Sequence, residues 1–159
     1  VSIEKVKAYF ATVGREGDVL EFPVSSATVE LAAQAAGVIP ARIAKTLSFK
    51  RHEDGCILIV MAGDARIDNS KFKQEFSIKA KMLSPDEVIA YTGCSVGGVC
   101  PFAIENEGVE VYLDISLKRF DTVFPSAGSS NSAIELSCEE LFEYSKALKW
   151  IDVCKDWQE

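Results

Sequence analysis

Few side chains in this sequence offer ready-made chemistry. It holds one histidine, His52, and five cysteines at positions 56, 94, 100, 138 and 154. Two of the cysteines lie in the stretch TGCSVGGVCPFAI, residues 92–104, with three glycines and Pro101. Cys100 as a nucleophile would need a base to make its thiolate, and only His52 or a lysine could serve; the competing reading is a buried spectator thiol. A Ser-His-Asp triad has the same single candidate base. Structural zinc needs about four ligands in close-spaced pairs, whereas Cys94 and Cys100 have five residues between them and the other cysteines are scattered. A phosphate loop fails because Gly97-Gly98 runs into Val99-Cys100 instead of Lys-Ser/Thr. A dinucleotide fingerprint fails because the glycines follow a predicted helix, not a strand.

Lys45 and the glycine stretch are more informative together. In an extended KTLSF segment Lys45, Leu47 and Phe49 share one face, and the apolar pair marks that face as inward. Two readings stay open: a cation held at a cleft for a phosphate or carbonyl oxygen, or a lysine snorkelling at the start of a strand. Between Val96 and Cys100 little side chain shields the backbone, so amides there can donate to a carbonyl or oxyanion; the alternative is a tight turn with no ligand.

The elements that must position these residues follow from periodicity and punctuation. Residues 2–12 read as an amphipathic helix stopped near Gly14, and VLEFPV as a strand. ATVELAAQAAG reads as a helix ended by Gly37, with Ser25 or Ser26 near its cap. Pro40 opens a short turn. KTLSFKR and CILIVMA predict a hairpin turning at Glu53-Asp54-Gly55, the second strand apolar on both faces and so central. DNSKFKQEF is a helix capped by Asp68, and Ser84 with Glu87 forms a capping box before a helix stopped by Gly93. Residues 109–115, 121–128 and 132–136 predict strands, and Ser137 with Glu140 caps a last helix over 138–148. Helices and strands in this order predict an α+β domain with a mixed sheet.

The totals bound the function. A chain of 159 residues suits one domain spanning 1–159, able to bury its core without disulfides or metal. Net charge is −7, which disfavours general nucleic-acid coating. Arg42, Lys45, Lys50 and Arg51 nevertheless form a short basic stretch suited to one phosphate-bearing end. Irregular, odd-numbered cysteines predict reduced thiols. Charges at Glu4, Lys5 and Lys7 break any secretory signal, and the longest apolar run is too short for a bilayer, so the expected address is cytoplasmic, with no membrane partner.

Taken together, IAKTL (43–47), AGDARID (62–68), TG with VGGVCPF (92–93 and 96–102), VYLDISL (111–117) and SAGSSNSAIEL (126–136) resemble the YbaK/EbsC family. These are aminoacyl-tRNA deacylases related to the editing domain of bacterial prolyl-tRNA synthetases, and the resemblance covers roughly residues 20–145. It implies a mixed, largely antiparallel, curved and partly barrel-like sheet packed with helices. It also implies hydrolysis of mischarged tRNA, commonly prolyl-tRNA bearing cysteine or alanine, without metal or organic cofactor. Lys45 matches the essential family lysine that holds the terminal-adenosine end. Gly97 and Pro101 match a Gly-x-x-x-Pro loop whose backbone, around Gly98, faces the aminoacyl carbonyl, so Gly98 joins Lys45 as an implied catalytic residue and Gly97, Val99 and Pro101 are implied to bind substrate. Thr28, Thr46, Ala127 and Gly128 are implied pocket wall, while Asp64 and Asp114 read as structural.

Thr28 stands where cysteine-specific relatives carry an aromatic, and Ala133 near where some carry an aspartate. The implied partners are the 3′ acceptor end of aminoacyl-tRNA and a synthetase, for a monomer or homodimer. A non-catalytic module that delivers an aminoacylated end to a synthetase is the alternative of another class, and a Cys100 thiol hydrolase is a third.

Overall fold

The computed structural model describes residues 2–52, 54–95 and 97–157. Along the chain, α1 (Ser2–Ala11), β1 (Val19–Glu21) and α2 (Val29–Ala36) precede the hairpin β2 (Ile43–Lys50) and β3 (Cys56–Ala62). Then come β4 (Arg66–Ile67), α3 (Asn69–Phe76), α4 (Pro85–Thr92), β5 (Val109–Asp114), β6 (Thr122–Pro125), β7 (Ser132–Ile134) and β8 (Leu136–Ser137). The chain closes with α5 (Cys138–Tyr144), β9 (Lys149–Ile151) and β10 (Cys154–Lys155).

The fold is α+β, with a mixed sheet curling into a half-barrel against the helices. Its six-stranded part runs β8-β6-β2-β3-β5-β9. The unbroken apolar run of β3 is buried at every residue, as a strand covered on both faces requires. β2 pairs with it antiparallel, Lys45 opposite Met61 and Thr46 opposite Val60. Parallel pairings join β2 to β6, β3 to β5 and β5 to β9, while β6 to β8 is antiparallel. The predicted strand 132–136 divides: β7 pairs with β1, and β8 pairs with β6.

Local chemistry sets most boundaries. Ser84 and Ser137 each accept from a backbone N–H three residues on, and Glu87 and Glu140 return the bond. Asp68 caps α3 through the N–H groups of Ser70 and Lys71. Two expectations need correction. α2 is capped by Thr28, whose side chain accepts from Leu31 N–H, because Ser26 stays extended and its N–H donates to Ser130 O. The last helix stops at Tyr144 instead of 148; the backbone turns left-handed at Lys146, and Lys149–Ile151 pairs beside β5. Of the predicted hairpin turn, Glu53 lies outside the described residues.

Aromatic packing fixes the glycine stretch from behind. Phe10 of α1 is fully buried, with its ring 5.0 Å from Phe102 and 5.6 Å from Tyr144. Phe102 sits immediately after Pro101, so α1 anchors the end of the loop that begins at Gly97.

Candidate functional site

β2, the start of α2, the 97–99 loop and the segments 126–133 and 82–83 enclose a cavity of about 310 Å³. Thr28, Lys45, Thr46, Gly97 and Val99 all line it. The structure thus brings the basic strand and the glycine loop, fifty residues apart in sequence, to one space. Among the described residues Lys45 is the one ionisable side chain in the lining; the rest is apolar or hydroxylic.

Lys45 Nζ donates to the carbonyl of Gly63 at 3.3 Å. Among the described residues no carboxylate comes within ion-pair distance of it. Burial is the main influence on this ammonium and pushes its pKa below the ordinary lysine value. Asp64 and Glu30 partly offset that push and Arg66 adds to it. Cys154 is also close, but burial raises its own pKa well above neutrality, so it stands there as a neutral thiol. The other cations of the basic stretch are engaged elsewhere. Arg42 meets Glu135 at 3.2 Å and covers the Phe124 ring, Lys50 lies 3.7 Å from Glu87, and Arg51 lies 3.4 Å from Glu110. Lys45 is the cation left for a ligand.

The loop wall is set by contact with the 126–132 turn. Gly98 is buried against it: a Cβ there would fall 2.9 Å from the carbonyl carbon of Ser129 and 3.0 Å from its Cα. Gly98 N–H donates to Ser95 O at 3.0 Å, so this amide is spent inside the turn. Gly97 and Val99 line the cavity on either side of it, and among the described residues the N–H groups of neither find a partner. The unpaired donors of the loop therefore flank Gly98, whose part is to let the turn lie flat against Ser129. Val96 lies outside the described residues.

Three expected wall residues sit elsewhere. Pro101 is buried and borders a separate cavity of about 390 Å³ with Tyr9 and Tyr144, because the chain has crossed toward α1 by that point. Ala127 and Gly128 are buried behind the wall, and the turn presents Ser126 and Ser132 instead. Ser132 Oγ accepts from Ser129 N–H at 3.2 Å and lies 2.7 Å from Ser129 Oγ, which stiffens the turn. Ser48, Met82 and Ala133 also line the cavity. Sequence reasoning did not single out Ser48, although its even spacing from Ala44 and Thr46 was the available signal.

The competing chemistries find little support in the geometry. Cys100 is fully buried, and its thiol pKa is driven well above the ordinary value by Cys94 and by burial. His52 is exposed at the hairpin end and does not line the cavity. Among the described residues no three His, Cys, Asp or Glu side chains gather as a metal site needs. Asp64 is bound by the Arg119 guanidinium at 2.6 and 2.9 Å. Asp114, fully buried, accepts from the N–H groups of Ser116 and Val153, both at 2.9 Å. Both aspartates hold structure together. Among the described residues no helix is long and apolar enough to cross a membrane.

Comparison with known proteins gives the family. An uncharacterised protein of Bacillus subtilis, YwhH, is 58% identical over 158 residues, covering 99% of this chain and all of that protein. A proline–tRNA ligase of a Thermotoga species is 28% identical over 94 residues, a match spanning 58% of this chain but 16% of the ligase. A crystal structure of a proposed trans-editing enzyme for prolyl-tRNA synthetase superposes with a TM-score of 0.86 at 28% identity, covering 97% of both chains. The model of the aminoacyl-tRNA editing domain matches residues 24–144, which include every residue named above as lining the cavity that holds Lys45, and the chain belongs to that family.

Proposed function

We propose that the protein is a trans-acting deacylase that hydrolyses the ester between a wrongly attached amino acid and the terminal ribose of a tRNA. The observation that carries this reading is the meeting of Lys45 with the unpaired N–H groups of Gly97 and Val99 in one cavity. An ester needs its carbonyl polarised and a nucleophile positioned, and fixed backbone donors in a partly water-excluded site do the first without a protein base.

In the reaction, the ester carbonyl oxygen accepts from Gly97 and Val99 N–H while Lys45 holds the phosphate-bearing adenosine end. A water oxygen attacks the carbonyl carbon, its proton passing to a substrate hydroxyl or to solvent, and negative charge builds on the oxygen facing the loop. The bond to the ribose oxygen then breaks, that oxygen leaves with a proton, and the free amino acid is released. Among the described residues the lining holds no His, Asp, Glu or Cys, which favours water activated by substrate groups over a protein nucleophile.

The match to proline–tRNA ligase and the likeness to a proposed prolyl trans-editing enzyme favour tRNA-Pro or a related tRNA, with alanine or cysteine as the misattached residue. A synthetase is the natural partner, since a net charge of −7 offers little general grip on RNA. The test is a deacylation panel over Ala, Cys, Ser, Thr and Pro on proline-type and other tRNAs with substoichiometric protein. Hydrolysis above background with many turnovers is expected. Binding without turnover would mean a delivery module instead.

A further inference from the structure

The middle of β2 has a bare edge inside the cavity. β6 pairs with β2 only at Ile43 and Ala44. At the far end Leu83 N–H donates to Ser48 O at 3.2 Å, and Lys50 N–H donates to Lys81 O at 2.8 Å. A residue in an antiparallel strand turns its N–H and C=O to the same edge, and successive residues alternate. Thr46 therefore turns both groups to the edge that Ser48 and Lys50 use, at the place where β6 has left and the 81–83 segment has not arrived. Among the described residues neither group of Thr46 finds a backbone partner, and nor does Ser48 N–H. Thr46 Oγ1 is buried without a partner as well. Thr46, Ser48 and Leu83 all line the cavity.

Unsatisfied backbone groups are rarely left buried unless something supplies the missing bonds. A strand edge with a gap of this length accepts a short extended segment by main-chain hydrogen bonding. An aminoacyl ester is such a segment. It has one acceptor, the ester carbonyl, and up to three donors on its α-ammonium. The cavity is complementary: donors from Gly97 and Val99 on the loop wall, and acceptors from Thr46 on the strand wall. With no carboxylate among the described residues of the lining, neutral oxygens are what the cavity offers the ammonium.

We propose that the Thr46 carbonyl and Oγ1 bind the α-ammonium of the aminoacyl group, making a free α-amine a requirement of the site. This rests on the deacylase reading above and adds to it a chemical filter: amino acids with an unmodified amine are taken, and N-acylated or deaminated acyl groups are passed over. It assigns Thr46 to substrate recognition and leaves polarisation of the carbonyl to the loop.

The experiment compares the amino acid that the panel shows to be turned over fastest with its deamino counterpart on the same tRNA, for example alanyl against propionyl. Each kcat/KM is divided by the uncatalysed hydrolysis rate of that ester, which removes the intrinsic effect of the ammonium. The wild-type protein is expected to favour the aminoacyl ester by about tenfold or more, the scale of one hydrogen bond to a charged group. Thr46→Val, which keeps the shape and removes Oγ1, is expected to bring that ratio toward unity, and Thr46→Ser to keep it. A normalised wild-type ratio near one overturns the proposal, and so does a ratio that Thr46→Val leaves unchanged in a folded protein. Should Thr46→Val fail to fold, the wild-type ratio alone decides. Absence of hydrolysis for every free aminoacyl ester is a separate outcome, which removes the deacylase reading itself.

Discussion

The Lys45 ammonium and the Gly63 carbonyl oxygen lie 3.3 Å apart, and this neutral contact stands where an ion pair would otherwise hold a half-buried lysine. A carbonyl orients the ammonium without cancelling its charge, so the cation stays available to a phosphate. Burial lowers the Lys45 pKa below 10.5. If the charged form acts, turnover normalised to spontaneous hydrolysis holds at neutral pH and falls as pH rises through this lowered pKa. Stability moves the other way. The unfolded chain binds the proton more tightly, so burying the charge costs stability below the folded pKa, and the cost is relieved as pH rises through it. Lys45→Met is expected to lower kcat/KM by about 100-fold or more, the scale of losing one key electrostatic contact, while raising the melting temperature at pH 7. Kinetics and thermal melts on one preparation check both.

Gly63 is the hinge of that contact. A Cβ on it would come within 2.1 Å of Pro40 O and 2.7 Å of Val29 Cγ1. The first is backbone and cannot swing aside, so Gly63→Ala must push the Pro40–Arg42 turn, which follows α2, away from the end of β3, and crowds Val29 of α2 as well. The expected cost is about 1–3 kcal/mol, the range for overpacking a tight site, with a drop in kcat/KM because α2 forms the cavity wall beside Thr28. Urea denaturation gives the first quantity. Unchanged stability would mean the approach of α2 to β3 is looser than these distances require.

The thiols separate a loop-based mechanism from a cysteine-based one. Cys56 is fully buried with its pKa pushed up to about 12, and Cys94, Cys100 and Cys154 are also buried. Cys138 alone is partly exposed. A thiol reagent on the native protein is expected to modify Cys138 first and leave deacylation intact, and Cys100→Ala is expected to retain turnover within about threefold while losing stability to the small void. Loss of activity in a folded Cys100→Ala protein would restore the thiol reading.

What the sequence made legible follows the range of the interactions. Capping boxes at Ser84 and Ser137, the Asp68 cap and the buried run of β3 are written in adjacent residues and appear where expected. The early end of α5 was hidden, because Lys149–Ile151 becomes a strand only by pairing with β5, and its residues carry no local stop. In the site, Lys45, Thr46, Gly97 and Val99 were within reach through their motifs. The bare edge of Thr46 was not, since it depends on where β6 departs and the 81–83 segment joins. Pro101 is the converse case: its place in a motif suggested the cavity, and the structure places it four residues on from Gly97, beside α1.

The capping boxes also predict an acid limb. Glu140 bonds to the Ser137 backbone, accepts from Arg15 and has a pKa lowered from 4.5, with the backbone bond the largest cause. A carboxylate whose folded pKa is depressed contributes stability that is present above its unfolded pKa and lost as pH falls through the folded one. Glu140→Gln should therefore lower the melting temperature at pH 7 and converge with the wild type in acid below that limb. A constant gap at all pH values would show that charge is not what Glu140 contributes.

Thr28 joins helix capping to the cavity wall, and the two roles can be separated. Its hydroxyl accepts from Leu31 N–H at 3.2 Å, and the residue lines the cavity where α2 begins. Thr28→Ser keeps the cap and removes one methyl from the wall. Thr28→Val keeps the wall volume and removes the cap. Serine is expected to leave stability near the wild type and widen the choice of amino acid, with a change of about 1–3 kcal/mol in relative preference for one methylene more of side chain. Valine is expected to cost about 0.5–2 kcal/mol of stability, as lost caps do, while leaving the order of preference among amino acids as it was. A serine variant with unchanged preferences would place the side-chain pocket away from α2, toward Ser48 and Val99. A valine variant that reorders them would mean the hydroxyl itself touches the substrate.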